Sequence, residues 1–248
     1  MNIQSFLVFA NFNNLNRSYV MLDLPRLMLT VIVTFGTFSI SARADDKLSR
    51  RNVAVFIHEG VELLDFAGPG EVFAAADKGK AFKVYTVAAS KDPITSQRFL
   101  KITPEYNFED CPKPDLIVVP GGNTALPLKD PKVVAWIKKA SGESEITLSV
   151  CTGAFLVAKA GLLDGKEATT HWGAIESFKK SFPGITVREN RRFVDNGKVI
   201  TSAGVSAGID GSLHVVKRLL GEQAAKETAR YMEYRWEPEA TAGKNSTP

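Results

Sequence analysis

Three short apolar runs, at residues 52–57, 116–119 and 146–150, break off at turns, and helix-prone segments come after them. A run that is apolar at nearly every position loses water from both faces of its strand. That is the property of a parallel sheet covered by helices on each side. The rhythm continues along the chain. Residues 82–87 read as another strand and 70–76 as a short helix. Asp130-Pro131 opens a helix with Val133, Val134, Trp136 and Ile137 on one side, proline at the first helical position being a start signal. Residues 167–172 read as a strand before a helix at 174–180. Residues 192–201 read as a hairpin turning at Asn196-Gly197, and two helices, 206–220 and 222–234, complete the pattern. The fold class is α/β with a mostly parallel central sheet.

The chain has 248 residues, 44% hydrophobic and 23% charged, enough for one globular domain, placed at residues 51–236. Residues 1–44 read as a leader. The uncharged apolar run 27–40 follows Arg26 and precedes Ala42-Arg43-Ala44, an A-x-A cleavage pattern. The run is short for a membrane span, which needs about 20 residues. A start at Met21 would give the leader a conventional length and leave residues 1–20 untranslated. The expectation is export to the periplasm or medium, with an uncleaved membrane anchor as the alternative and no stable membrane association after cleavage. Residues 45–50 then form a linker and 237–248 a flexible polar tail.

The formal charge is +4, but beyond residue 44 there are 28 basic and 26 acidic residues, so part of the basicity belongs to the leader. No block of like charge remains to suggest nucleic acid. His58 and His214 have no partner at ligand spacing and there is no Cys/His cluster, so no metal is expected. Cys111 precedes its strand whereas Cys151 ends one. In parallel neighbours that puts the thiols about five residues apart along the sheet, at ~3.3 Å each, beyond the ~7 Å reach of a disulfide.

Cys151 is the principal candidate for chemistry. It separates the strand Ile146–Val150 from the small-residue, helix-prone run that begins at Ala154, with Ser149 and Gly153 two residues to either side. A side chain at such an elbow projects from both elements as a nucleophile can. A thiol at a helix N-terminus is also expected to have its pKa lowered below ~8.5. The alternative is an inert buried cysteine. Pro120-Gly121-Gly122 also follows a strand, and the amides of Gly122 and Thr152 can form an oxyanion-type hole opposite the thiol, or the glycines make an ordinary tight turn. Asp65, in the glycine-bounded loop 60–69, can exchange a proton with Cys151 or cap the following helix. His171 can act as a base for Cys151 or be a polar residue at a strand end. Gly204-Val-Ser-Ala-Gly208 matches G-x-S-x-G, but His214, the downstream histidine, lies ~12 Å along the same helix, so Ser206 reads as a helix cap.

Taken together, the stretches 60–69, 118–123, 149–154, 162–172 and 199–210 resemble the ThiJ/PfpI superfamily, and they span most of residues 51–236. The resemblance implies a class I glutamine amidotransferase-like fold, a flavodoxin-like three-layer sandwich with a cysteine nucleophile elbow. The branch it resembles is that of isonitrile hydratase and the sensor halves of AraC-type regulators, where the cysteine is followed by Thr-Gly, here Thr152-Gly153. Asp65 stands where many members of the superfamily have Glu, and Thr152 where many have His. The implied roles are nucleophile for Cys151, acid/base for Asp65, and supporting hydroxyl and amide for Thr152. Gly122 would complete the oxyanion site; beside the resemblance, the residues themselves place Gly121 in the same substrate-binding turn and, from the Thr-Thr-His-Trp context, His171 in the pocket wall. The implied activity is cofactor-independent conversion of an isonitrile, or another small-molecule substrate, by a homodimer. The alternative is a small-molecule-binding or redox-sensing module; the sequence shows no helix-turn-helix region.

Overall fold

The computed structural model describes residues 50–237. The leader and nearly all of the linker and polar tail read from the sequence lie outside these residues. In chain order the elements are β1 (Arg51–Phe56), α1 (Leu63–Gly79), β2 (Phe82–Ala88), β3 (Ile94–Ser96), β4 (Leu100–Ile102), β5 (Tyr106–Asn107) and β6 (Leu116–Val119). There follow α2 (Pro131–Glu143), β7 (Ile146–Val150), α3 (Gly153–Lys159), β8 (Glu167–Ala168), α4 (Ile175–Ser181), β9 (Thr186–Val187), β10 (Phe193–Asp195), β11 (Val199–Ser202), α5 (Ala207–Leu220) and α6 (Glu222–Tyr231).

The main sheet has the order β10-β11-β7-β6-β1-β2-β5 and is parallel except at the β10–β11 edge. Counted along the chain, its five central parallel strands run 2-1-3-4-5, the flavodoxin-like order. The apolar runs divide between two cores. Val53, Val55, Leu148 and Val150 face one side with Val72 and Phe73 of α1 and Leu213 and Val216 of α5. Ala54, Phe56, Ile117 and Val119 face the other with Ile137 of α2, Leu156 of α3 and Phe178 of α4. Each fully buried Val, Leu, Ile or Phe contributes ~1.5–3 kcal/mol, so the sheet is held from both faces and its strand ends are fixed.

Strand order reverses between β1 and β6, because the chain passes from β1 to β2 on one side and from β6 to β7 on the other. Open α/β sheets place their sites at such a point, beyond the carboxyl ends of the strands. The segments after β1, β6, β7 and β11 all emerge there.

Three local expectations need correction. The helix after β1 begins at Leu63 rather than residue 70, and contains Pro69. Only Glu167–Ala168 of the stretch 167–172 is strand, paired with β9 outside the main sheet, while His171 caps a short 3-10 turn, Trp172–Ala174. Ser206 occupies the cap position of α5 without a capping hydrogen bond; its Oγ instead accepts from Arg192 at 3.4 Å. Between β2 and β6 the chain makes a β3–β4 hairpin whose turn residues Gln97 and Arg98 both have positive φ.

Candidate active site

Cys151 has φ +57°, in the left-handed region that L-residues seldom occupy. Its N–H donates to the carbonyls of Ser202 and Ala203, each at 3.2 Å, and its own carbonyl accepts from Thr170 Oγ1 at 2.8 Å. The strained elbow is thus tied to β11 on one side and to the segment after β8 on the other. Gly153 follows because a Cβ there would overlap the Val119 carbonyl oxygen. The side chain is nearly closed off, with 6% of Cys151 exposed.

Asp65 is fully buried, in the first turn of α1. It is not the helix cap: Glu62 holds that position. Its carboxylate accepts from two backbone amides of distant segments, Gly121 N–H to Oδ2 at 3.0 Å and Val205 N–H to Oδ1 at 3.1 Å. Gly121 must be glycine for this arrangement, since a Cβ would lie 2.5 Å from Thr152 N and Oγ1 and 3.0 Å from Asp65 Oδ2.

Asp65 and Cys151 are close enough for each to shift the other's titration. Burial pushes Asp65 up to about 7 despite the two amides and the thiol that favour its charge. Burial, then the Asp65 charge, pushes Cys151 up to about 12 against the pull of the Thr152 and Val205 amides. The expectation of a thiol acidified by a helix N-terminus is therefore reversed. Desolvation and a neighbouring carboxylate outweigh a helix of seven residues. The pair holds one proton more readily than none, and that proton lies with sulfur.

Thr152 is the hub of the turn. Its hydroxyl accepts from Gly122 N–H at 3.0 Å and donates to the Gly122 carbonyl at 3.1 Å. The two amides expected to face the thiol are therefore split: Thr152 N–H favours the thiolate, while Gly122 N–H is engaged by the threonine hydroxyl. Gly122 is also locked to Val61 by a β-bridge. His171 stands at the edge of this assembly. Its Nδ1 accepts from Gly173 N–H at 3.2 Å and its ring rests on Gly204.

The structure thus brings together Cys151, Asp65, Thr152, Gly121 and Gly122, with His171 at the periphery. It adds Thr170 and Val205, which the sequence reading did not single out. Val205, with φ +56°, occupies the elbow position after β11, and the Gly204-Val-Ser motif was the signal that could have found it. Ser206 is not placed as a nucleophile, and His214 Nε2 is engaged with Asp195 at 2.7 Å. Among the described residues no group of three or more His, Cys, Asp or Glu side chains is arranged to hold a metal, and no helix is long and apolar enough to cross a membrane.

Comparison with known proteins agrees with the fold that carries this site. The DJ-1/PfpI family profile matches residues 51–218. Isonitrile hydratase of Pseudomonas putida is 35% identical over 188 residues, covering 75% of this chain and 80% of that protein. The HTH-type transcriptional regulator CdhR of Pseudomonas aeruginosa is 30% identical over 172 residues, covering 68% of this chain but 51% of the regulator. Among solved structures, a ThiJ/PfpI family protein from Pseudomonas syringae superposes with a TM-score of 0.69 at 28% identity, over 82% of this chain and 85% of that one.

Proposed function

Since the chain belongs to the DJ-1/PfpI family, we propose that it is a cysteine-dependent hydratase that adds water to a small electrophile, with an isonitrile as the substrate class. The observation that carries this reading is the buried Asp65 carboxyl, held by two backbone amides beside a thiol on a strained elbow. A carboxyl whose pKa is raised to about 7 can both accept and return a proton near neutrality. Neither role needs a cofactor.

In the proposed reaction Asp65 takes the thiol proton as sulfur attacks the terminal carbon of R–N≡C. The same proton then passes to that carbon, leaving the thioimidate R–N=CH–S–Cys151 and restoring the Asp65 carboxylate. Asp65 next deprotonates a water that adds to the imidate carbon, while nitrogen gains a proton. Collapse of the adduct breaks the C–S bond, returns a proton to sulfur and releases R–NH–CHO. One water is consumed and no electrons are exchanged. Thr152 holds the Gly122 turn rigid throughout, and its amide favours the sulfur's negative charge.

The test is formamide production from aryl and alkyl isonitriles by the wild type, Cys151→Ala and Asp65→Asn. Turnover by the wild type, lost in both variants, is the expected result. Full activity in both variants would remove the catalytic reading.

A second reading, small-molecule binding in the same pocket without turnover, is favoured by the suppressed ionisation of Cys151 and by the similarity to CdhR. It separates cleanly from the first: a sensor binds its ligand stoichiometrically, and Cys151→Ala retains that binding.

A further inference from the structure

His58 is a buried titratable side chain that the proposed reaction leaves unused. It follows β1 closely, at the switch point of the sheet, with 7% of the residue exposed. Its ring rests on Phe56, centroids 5.5 Å apart, and Phe56 in turn meets Phe108 at 6.0 Å and Trp136 at 6.1 Å. Nδ1 lies 3.0 Å from the Glu59 carbonyl, which can only accept, so Nδ1 carries the hydrogen. Nε2 is shut away from solvent and has no hydrogen-bond partner among the described residues. An unpaired buried nitrogen is costly, and a phenyl ring would fill the same space without that cost.

The surroundings of the ring account for the imidazole. The carbonyls of Gly121 and Pro120 lie against it and, with that of Glu59, favour its charged form, as does the Glu59 carboxylate; burial outweighs them and keeps the ring neutral at pH 7. The Glu59 carboxylate itself accepts from Thr95 N–H at 2.8 Å. The Pro120 carbonyl and the Gly121 N–H belong to one peptide group. Its oxygen side is turned to His58, and its N–H holds Asp65 Oδ2 at 3.0 Å. A donor that polarises the oxygen of a peptide strengthens its N–H in turn. The two segments are also laced together. Val61 N–H donates to His58 O at 3.0 Å, Glu62 N–H to Gly121 O at 3.1 Å and Asn123 N–H to Gly60 O at 2.9 Å.

We infer that His58 is a positioning residue for Asp65, acting through the Pro120–Gly121 peptide. The imidazole braces and polarises the carbonyl side of that group, and the N–H on its far side holds the carboxylate beside Cys151. The bearing on turnover rests on the reading of Asp65 as proton carrier; the coupling of the two side chains does not. The imidazole carries none of the transferred protons.

The test follows both side chains by NMR in the full chain, with carbon-13 at the aspartate carboxyls and nitrogen-15 in histidine. The Asp65 signal is assigned by its loss in Asp65→Asn. In the wild type Asp65 should titrate at about 7, and the His58 nitrogens should report a neutral, Nδ1-protonated ring whose shifts step at the same pH. His58→Phe keeps a ring and removes the donor. It should raise the Asp65 midpoint by roughly half a unit, about three-fold in proton affinity, as the Gly121 amide loosens. His58→Gln restores an N–H and should return the midpoint most of the way. The acid limb of formamide formation should follow the Asp65 midpoint in each variant. Equal Asp65 midpoints in the wild type and His58→Phe would overturn the inference. So would equal shifts in the phenylalanine and glutamine variants, which would leave His58 a space-filling role. The wild-type titration decides without any variant, since a His58 ring indifferent to the ionisation of Asp65 also overturns it. Shifted Asp65 midpoints in a protein inert toward isonitriles would uphold the coupling and count against the hydratase reaction alone.

Discussion

The backbone N–H of Val205 donates to Asp65 Oδ1 at 3.1 Å, across 140 residues of sequence, and does so from φ +56°. A β-branched residue in that region is strained by about 1–3 kcal/mol. The strain is sustained because the same amide favours both the Asp65 charge and the Cys151 thiolate. The site therefore depends on a backbone conformation, not on the valine side chain. Val205→Gly should keep the amide in place at lower strain, with stability within about 1 kcal/mol of wild type because glycine also loses more entropy on folding. Isonitrile turnover should stay within about three-fold. A loss beyond a hundred-fold would show that the side chain, rather than the amide, is what the site uses.

Removing the Asp65 charge separates acidity from catalysis. In Asp65→Asn the thiol loses the neighbouring carboxylate that is the second cause of its raised pKa, while burial remains. The midpoint of Cys151 alkylation should therefore move down from about 12, even as turnover collapses for want of a proton carrier. A pH titration of iodoacetamide reactivity on both proteins checks this. An unchanged midpoint would mean the two side chains are not coupled.

The raised pKa of Asp65 also fixes the sign of a stability effect. The folded protein holds that proton up to about 7, the unfolded chain only to about 3.9, so the folded state binds more protons in between. Below the unfolded value the contribution is flat. Stability then falls as pH rises through about 4 to 7, by at most on the order of 4 kcal/mol. Urea unfolding at pH 4.5 and pH 7.5 should show the wild type losing stability across this window by more than Asp65→Asn does. Equal losses in the two proteins would contradict a desolvated carboxyl at this position.

These effects turn on features that were unequally legible in the sequence. The apolar runs of β1, β6 and β7 were readable because burial on both faces leaves no polar position to disguise them. The Cys151 elbow was readable because strand, small residue and helix meet within a few positions. The start of α1 was not. Glu62 makes no capping bond, and Gly68, Pro69 and Gly70 look like a break although the helix runs through them. The β3–β4 hairpin was hidden because Gln97 and Arg98 take positive φ without the glycine or asparagine that normally marks such a turn. Amide donors such as Gly121 and Val205 have no side-chain signature, so sequence could suggest where the glycine turns lie but not which carboxylate they hold. The direction of the thiol's pKa shift was misread because desolvation depends on packing that no local pattern records.

Thr152→Val keeps the shape of the side chain and removes the hydroxyl that serves both polar groups of Gly122. Leaving a partly buried amide and carbonyl without that partner should cost about 1–3 kcal/mol. Turnover should fall as the turn loosens, whereas Thr152→Ser, which retains the hydroxyl, should recover most of both losses. Thermal unfolding and steady-state rates on the pair provide the check. Equal behaviour of the valine and serine variants would assign Thr152 a packing role only.

Glycines in this chain differ in what they are for, and alanine substitutions should sort them. A Cβ at Gly153 would overlap the Val119 carbonyl oxygen and lie 2.9 Å from the Pro120 carbonyl oxygen, both backbone atoms that cannot swing aside. Gly153→Ala should therefore cost about 3 kcal/mol or more, at the upper end for overpacking. Gly121→Ala would meet the backbone nitrogen of Thr152 at 2.5 Å and Asp65 Oδ2 at 3.0 Å, so it should cost stability as well and, unlike Gly153→Ala, lower reactivity through displacement of the carboxyl that carries the proton. Gly70, inside α1 with nothing within 4 Å of a Cβ, is the contrast: Gly70→Ala should stabilise the protein by about 0.5–1 kcal/mol through helix propensity. Denaturant midpoints for the three variants, with alkylation rates for Gly121→Ala, test the ordering. If Gly153→Ala were no more costly than Gly70→Ala, the close approach of the elbow to β6 would be wrong, and with it the placement of Cys151 beside the Gly121 turn.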